Sequence, residues 1–200
     1  MKKTGWLVLM AALLLPGRAG AQQTLLGEDF TSGGYGGPGL RIGTLNGELA
    51  VQAGGQGGWV IGKTLVIGGA GYGVATEHEV TFNSTTYAMD FGYGGLLLEY
   101  LHKSDEVFHG YLALIVGGGG VSLRDTSQPS SSDDVDDDVV LVLEPSLNLE
   151  VNLTKTMRVG LGGGYRIVSG LKESWEDDYG LTAADLSGPF ASLTFRFGKY

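Results

Sequence analysis

Apolar and polar residues alternate one by one along most of this chain, and the segment from Val139 to Leu153 shows the pattern most clearly. Every odd position there is apolar, and the even positions from Glu144 to Asn152 are polar. This period of two predicts a β-strand with one apolar and one polar face. Strands in soluble proteins usually have about five or six residues, whereas a tilted membrane-spanning strand needs about nine to eleven. The length therefore favours a strand that crosses a membrane.

Seven other segments follow the same pattern, although more weakly at 65–75 and 107–121, where both faces carry apolar residues or glycine. Together the eight segments predict a closed barrel. They are residues 35–45, 48–61, 64–75, 86–101, 107–123, 138–153, 157–168 and 187–199. An even number of strands brings both ends of an up-and-down barrel to one side of the membrane. The connections alternate between short turns and long loops at 76–85, 124–137 and 169–186, as periplasmic turns and external loops do. We therefore predict an all-β fold, a closed antiparallel up-and-down transmembrane β-barrel of about eight strands.

Three positions depart from the regular pattern. Asn46-Gly47 stands where a long external loop is expected, but this dipeptide favours a tight type I′ turn. The alternation changes phase at Gly94-Gly95, which predicts a bulge. Pro145 lacks the backbone N–H that a strand in a closed barrel needs, so we expect another bulge there.

The polar faces of the predicted strands carry charged side chains, which a barrel would place in its lumen. They are Arg41, Glu48, Asp90, Glu99, Glu144, Glu150, Arg158, Arg166 and Arg196. The interior of an eight-stranded barrel is just wide enough for side chains to fill. We therefore expect a plug of paired charges and no wide pore.

The N-terminal residues have the three parts of a secretory signal. Lys2-Lys3 precedes an apolar run from Trp6 to Leu15, and a small-residue segment ends at Ala21. The apolar run is too short to cross about 30 Å of hydrocarbon as a helix, so we predict cleavage after Ala21. The predicted organisation is a signal peptide at 1–21, an N-terminal segment at 22–34 and a barrel domain at 35–200, exported to a bacterial outer membrane.

Composition narrows the classes of function. Glycine accounts for 36 of the 200 residues, and 42% of the residues are hydrophobic, which is enough apolar surface to support a folded domain. The absence of cysteine excludes disulfides and thiolate metal sites. A formal net charge of −9 argues against a nucleic-acid partner, because phosphate binding requires basic surfaces.

The C-terminal segment Gly188–Tyr200 alternates apolar and polar residues and ends in an aromatic residue. It resembles the closing strand of small bacterial outer-membrane β-barrels with the OmpX/OmpA-like eight-stranded architecture, and Gly54–Gly73 looks like a hairpin of glycine-rich small barrel proteins. The resemblance implies outer-membrane lipid as the surroundings, insertion by the barrel-assembly machinery, and no catalytic, cofactor or metal residues. It also implies an assembly signal at Leu193, Phe195, Phe197 and Tyr200, with Tyr200 out of phase with the other three.

Two acidic segments are candidates for binding. Asp133–Asp138 supplies clustered carboxylates that could hold Ca²⁺ or bridge to lipopolysaccharide, but it lacks the glycine and glutamate of an EF-hand. A solvated external loop is the favoured interpretation. Lys172–Tyr179 carries Trp175 and Tyr179 among acidic residues, and these aromatics suit either an adhesive tip or a membrane interface.

The sequence matches known catalytic and cofactor-binding motifs only in part. Gly69–Gly73 lacks the third glycine and the following helix of a dinucleotide loop, so the barrel wall is the favoured interpretation. His78 is placed in an external loop near Ser84, His102 in a periplasmic turn beside Ser104, and His109 within a strand near the periplasmic side. No Gly-x-Ser-x-Gly segment is present, and nothing pairs a serine with a histidine and an acid.

Three hypotheses of function follow. The first is a non-enzymatic outer-membrane barrel that acts through its acidic external loops on a partner that the sequence does not identify. The second is a lipid-processing enzyme with a serine and histidine at the rim. The third is a soluble lipocalin-like carrier, which the outward rows of Leu, Val and Phe disfavour because they would aggregate in water.

Overall fold

The computed structural model describes residues 31–126 and 136–200. The predicted signal peptide, its cleavage after Ala21 and the first half of the acidic segment Asp133–Asp138 lie outside these ranges.

The described residues form nine strands and one short helix. They are β1 (Ser32–Leu45), β2 (Glu48–Ile61), β3 (Leu65–Val74), β4 (Glu79–Phe82), β5 (Thr85–His102), β6 (Phe108–Asp125), β7 (Asp136–Asn152), β8 (Met157–Ser169), α1 (Ser174–Tyr179) and β9 (Gly188–Lys199). The helix lies inside the predicted loop 169–186, and β4 lies inside the predicted loop 76–85.

Eight of these strands form a closed antiparallel barrel, as predicted. Hydrogen-bonded neighbours follow the order β3, β2, β1, β9, β8, β7, β6, β5, and the pairing of β3 with β5 closes the ring. β4 pairs with the first residues of β5 and extends that hairpin past the barrel wall. Each barrel strand therefore has one face toward the lumen and one face toward the surroundings.

The connections collect at two different ends of the barrel. At one end, named the short-turn end, lie the connections at 62–64, 103–107 and 153–156. At the other, named the long-loop end, lie the connections that contain β4 and α1, the connection between β6 and β7, and the tight turn Asn46-Gly47. Asn46 and Gly47 have φ angles of 49° and 75°, which agree with the predicted type I′ turn.

The outward face of the barrel is apolar on the strands where alternation is strongest. On β7 the odd-numbered residues face outward, and Leu147 and Leu149 are 63% and 70% exposed. Leu161 on the neighbouring strand β8 is 63% exposed. Such a belt of exposed aliphatic side chains suits a lipid environment and is unfavourable in water.

Within 31–126 and 136–200, no helix is long and apolar enough to cross a lipid bilayer.

The bulge predicted at Gly94-Gly95 is wrong. Gly94 pairs with Gly71 on β3 and with Gly118 on β6, in the same register as the residues before and after it. The apparent change of phase arises because the lumen is lined by apolar residues near the long-loop end. Met89 and Phe91 face inward there, in line with Leu97 further along β5.

The bulge predicted at Pro145 is also wrong. Pro145 pairs with Leu114 in an unbroken register between β7 and β6. On the other side, the pairing of β7 with β8 is interrupted between Leu143 and Ser146 and resumes in the same register. The missing N–H of proline is accommodated by this interruption, without an extra residue.

Two members of the predicted lumen set lie outside the lumen. Asp90 points outward from β5 and pairs with Arg124 across a distance of 2.7 Å. Glu48 is exposed at the start of β2, beside the turn at Asn46-Gly47. Asp90 faces outward because the inward positions of β5 near the long-loop end are apolar. Glu48 lies on the inward side of β2, in line with the buried Ala50 and Gln52, but it is at the rim, where it is exposed.

Candidate functional site

A network of ion pairs fills the half of the lumen nearest the short-turn end, and Arg196 on β9 lies at its centre. The Arg196 side chain is fully buried, and its Nη2 contacts Oε1 of Glu99 at 2.6 Å. Its Nε lies 3.2 Å from Oε2 of Glu150. One guanidinium therefore joins carboxylates from β5 and β7 across the barrel.

The same carboxylates have further partners. Glu150 accepts from Nη1 of Arg158 at 3.1 Å, and its Oε1 lies 3.0 Å from Nε2 of His109. Glu99 accepts a hydrogen bond of 2.7 Å from the hydroxyl of Tyr35. The predicted position of His109, within a strand near the short turns, is confirmed, and its ring faces the lumen.

A second ion pair lies further toward the long-loop end. Arg41 pairs with Glu144, and Tyr93 donates a hydrogen bond to the same carboxylate. The Arg41 guanidinium also lies 3.5 Å from the centre of the Tyr72 ring. Apart from Asp90 and Glu48, the predicted lumen charges are thus buried.

Apolar side chains fill the lumen near the long-loop end. They come from the strands and from the connection between β8 and β9, and include Leu45, Met89, Phe91, Leu123, Val140, Val142, Val168, Trp175, Leu181 and Leu186. Arg166 ties this connection to the wall, because its Nε donates to the carbonyl of Leu186 at 2.7 Å and its Nη2 to the carbonyl of Thr44 at 2.8 Å. An interior cavity lined by Arg41, Gln56 and Asn148 has a volume of about 10 Å³, roughly the size of one water.

The expectation that Trp175 is an exposed tip or an interfacial aromatic is wrong. Trp175 is fully buried, and the ring of Tyr179 packs edge-on against it with a centroid distance of 5.4 Å. Burial, together with the neighbouring carboxylate of Asp136, raises the pKa of the Tyr179 hydroxyl. The acidic residues of α1 remain at the surface while its aromatic residues pack inward.

Tyr200 occupies the mouth of the lumen at the short-turn end. Its ring stacks on Tyr35 at a centroid distance of 5.7 Å, and the Arg158 guanidinium lies 3.3 Å from the Tyr200 ring centre. Phe197 points outward and is 49% exposed. The difference in phase that is visible in the sequence thus places Tyr200 inside the barrel, and its part in an assembly signal stays a prediction.

The histidines lie in three different environments. His78 is buried, and its Nδ1 lies 3.3 Å from Oγ1 of Thr76, whereas Ser84 is exposed in the turn between β4 and β5. His102 is exposed at the end of β5, and Ser104 donates to the carbonyl of Lys63. His78 hydrogen-bonds to Thr76, and His109 contacts Glu106, Glu150 and Arg158, so the partners of these two histidines are residues other than serine.

The two ends of the barrel differ in charge. Among the described residues of the long-loop end, the exposed acidic ones are Glu48, Glu77, Glu79, Asp90, Asp137, Glu173, Glu176, Asp177 and Asp178, and the exposed cations are Arg124 and Lys172. The described part of the short-turn end carries Lys63, Lys103, Lys155 and Lys199 against Asp105 and Glu106. In the described ranges, no group of three or more acidic or histidine side chains is arranged to hold a metal ion.

Comparison with solved structures identifies the fold. Neisserial surface protein A, NspA, is similar with a TM-score of 0.53 and 9% sequence identity over 86% of this chain and 99% of NspA. The chain has the fold of a small outer-membrane β-barrel. Ail of Yersinia pestis aligns with this barrel at a TM-score of 0.49 and 12% identity over 84% of this chain and 97% of Ail. The N-terminal β-barrel domain of OprF from Pseudomonas aeruginosa aligns with a TM-score of 0.49 and 12% sequence identity, over 82% of this chain and 96% of the OprF domain.

No protein-family model matches the sequence of this barrel, and no curated protein matches it. At 9% identity, the similarity to NspA shows a shared fold and carries no information about activity. The predicted resemblance to small eight-stranded outer-membrane barrels is confirmed at the level of the fold.

Proposed function

We propose that this protein is a non-enzymatic integral barrel of a bacterial outer membrane, with its short turns in the periplasm and its long loops outside. The belt of outward aliphatic side chains carries this proposal. Leu147, Leu149 and Leu161 are each more than three-fifths exposed, and lipid is the solvent in which such a surface is stable. Short periplasmic turns and long external loops are typical of outer-membrane barrels and give the orientation.

The filled lumen supports a structural or surface role over transport. Arg196, Glu99 and Glu150 occupy one half of the lumen, and the apolar side chains around Trp175 occupy the other. No wide pore is therefore expected. Single-channel recording in planar bilayers tests this, and we expect no steps of porin size; stable steps of that size would contradict the sealed barrel.

The acidic surface of the external loops is the candidate surface for a partner. Helix α1 presents Glu176, Asp177 and Asp178 outward while Trp175 anchors it to the barrel. This combination holds a negative surface in a defined place, and negative surfaces attract cationic partners over about one Debye length. The partner expected here is a cationic polymer or polypeptide.

We also infer that the barrel-assembly machinery inserts the chain through β9. Its outward residues Leu193, Phe195 and Phe197 continue the apolar belt, whereas Tyr200 lies inside the mouth. Phe197→Ser is expected to slow insertion more than Tyr200→Phe does. The two variants are compared by the rate at which new chains become resistant to protease in the outer membrane, and equal rates would contradict a role for Phe197.

Membrane residence is tested by gel mobility of protein from a carbonate-washed outer-membrane fraction. Closed barrels stay folded in mild detergent, so unboiled and boiled samples are expected to migrate differently. Recovery in the soluble periplasm without such a shift would overturn the proposal and favour a soluble carrier. An unchanged acyl composition of outer-membrane lipid on expression is the expected result for a non-enzymatic protein, and a changed composition would contradict it.

A further inference from the structure

The outer wall of the barrel has a recess at its periplasmic rim, with a volume of about 410 Å³. Its floor is Gly110 on β6, which pairs with His102 on one side and Leu149 on the other. Phe108 and Val151 form the next row toward the rim. The recess is thus an indentation in the outward row of side chains, where one position has none.

Gly110 is not required by the packing of the barrel. A Cβ atom at this position would lie 3.5 Å from the carbonyl oxygen of Asn148 and 3.9 Å from Cδ2 of Leu149, which are ordinary contact distances. A larger side chain would extend outward into the recess. The missing side chain therefore keeps space open on the surface and does not relieve a clash.

The walls of the recess combine apolar surface with polar and charged groups. Phe108 and Leu149 are 73% and 70% exposed, and they lie on the part of the wall that faces lipid. His102, Lys103 and Glu106 stand at the edge nearest the periplasm, and the Lys103 side chain is 59% exposed. Lys103 contacts Glu106 at 2.9 Å, and an ammonium has three donors, so it can bind a second anion.

Lys103 has a backbone conformation that its side chain does not favour. Its φ is 57°, in the left-handed region that asparagine and glycine adopt far more readily than lysine. A lysine at this position is therefore better explained by its charge than by the geometry of the turn. Lys63, in the neighbouring periplasmic turn, has a φ of 58° but lies outside the recess and pairs with Asp105.

We propose that this recess binds one anionic phospholipid of the periplasmic leaflet. The phosphate contacts Lys103 and His102, and one acyl chain lies over Gly110 between Phe108 and Leu149. Charge complementarity selects an anionic headgroup, because lysines outnumber carboxylates among the described residues of this end. This inference rests on the proposed membrane residence and orientation.

Native mass spectrometry of the detergent-extracted protein tests the inference, with dioleoyl phosphatidylglycerol and dioleoyl phosphatidylcholine as probes. The parent is expected to bind phosphatidylglycerol several-fold more tightly. Lys103→Asn is expected to weaken phosphatidylglycerol binding about fivefold, the effect of one cation at a membrane surface. It should leave the barrel as stable as before or more stable, because asparagine fits the left-handed region. If Lys103 had only a structural role, Lys103→Asn would change the stability of the barrel without weakening phosphatidylglycerol binding.

Matched controls distinguish an effect at the recess from the loss of a lysine elsewhere at this end and from the addition of a large side chain elsewhere on β6. Lys63→Asn makes the same change in the other left-handed turn and is expected to keep phosphatidylglycerol binding within about twofold of the parent. Gly110→Leu fills the recess and is expected to weaken the binding of both lipids about tenfold. Gly118→Leu adds the same side chain to the same face of β6 outside the recess, and it should leave binding unchanged.

Three results would overturn the lipid site: equal affinity of the parent for the two lipids, an equal loss in Lys63→Asn and Lys103→Asn, or full binding in Gly110→Leu. Each variant is first run unboiled and boiled on a gel. If the parent itself shows no heat-dependent shift, the proposed membrane barrel fails and the lipid site fails with it. A shift in the parent combined with any of the three results rejects the lipid site alone.

Discussion

Glycines in this barrel serve two different purposes, depending on the face they occupy. At Gly117, which faces inward, an added Cβ would lie 2.1 Å from the carbonyl oxygen of Gly94, so strands β5 and β6 can approach this closely only without a side chain. At Gly118, the next residue, the nearest atom is the carbonyl oxygen of Val140 at 3.4 Å. Adjacent glycines in one strand therefore differ in what they contribute to stability.

We expect Gly117→Ala to destabilise the barrel by roughly 1–3 kcal/mol, because the methyl group forces the two strands apart. Gly118→Ala is the matched control and should change the free energy of unfolding by less than about 0.5 kcal/mol. The measurement is urea unfolding of the barrel in lipid vesicles. Equal effects in the two variants would contradict the difference between the faces.

Arg196 is the residue on which the buried charges depend most. It joins the buried carboxylates of Glu99 and Glu150, so Arg196→Met leaves Glu99 without its cation and Glu150 with Arg158 alone. We expect a loss of about 3–5 kcal/mol in the free energy of unfolding. Lys63→Gln breaks the exposed pair with Asp105 and should cost less than about 1 kcal/mol.

A double variant distinguishes loss of charge balance from loss of packing. Adding Glu99→Gln to Arg196→Met removes one unpaired carboxylate and is expected to restore part of the lost stability. If the double variant is less stable than Arg196→Met, the unpaired charge of Glu99 is not the cause of the loss.

At the scale of elements, α1 depends on the barrel for its stability. A helix of six residues is too short to be stable in water by itself. Trp175 is fully buried among the apolar side chains of the lumen, and Tyr87 packs edge-on against Tyr179 at 5.3 Å. The helix is therefore held by its aromatic side chains.

Trp175→Ala is expected to release the connection between β8 and β9 while the barrel stays folded. Loss of a buried tryptophan costs about 3–5 kcal/mol, which exceeds what a six-residue helix can supply. Limited proteolysis with proteinase K should then cleave between residues 170 and 187 much faster than in the parent, with the heat-dependent gel shift retained. Trp59→Ala removes a tryptophan from the outward face of β2 and is the control; comparable cleavage in both variants would contradict an anchoring role for Trp175.

At the scale of the whole molecule, the barrel separates charge along its axis. Acidic side chains collect at the long-loop end, and lysines outnumber carboxylates at the described part of the short-turn end. Such a distribution attracts cations to one end and anions to the other, and salt weakens both attractions. The proposed external partner and the proposed lipid site use opposite ends of the same molecule.

Removing the negative charges on and beside α1 tests whether the long-loop end attracts cationic partners. Replacing Glu173, Glu176, Asp177 and Asp178 by their amides is expected to weaken binding of poly-lysine to the barrel in zwitterionic nanodiscs, and the difference should shrink as salt is raised. The control replaces Asp105 and Glu106 at the other end and should have a much smaller effect. Binding that is unchanged in the α1 variant would contradict a role for this surface.

The sequence alone determined the barrel itself. Strand positions, the outward rows of β7, β8 and β9, the burial of Arg196 and Glu150, and the turn at Asn46-Gly47 all follow from local patterns with a period of two or from one dipeptide. These features are predictable because each depends on residues that are near one another in the chain.

The tertiary structure alone decided what fills the lumen near the long-loop end. The predicted placement of Asp90 in the lumen would put its neighbours Met89 and Phe91 on the lipid face, and Trp175 stands among acidic residues as an exposed residue would. All three apolar side chains instead belong to the same buried cluster inside the barrel. Their partners are far apart in the chain, and an apolar side chain satisfies alternation equally well on either face. Which face is inside, and where a loop tryptophan packs, is set only when the ring of strands closes and leaves a space to fill.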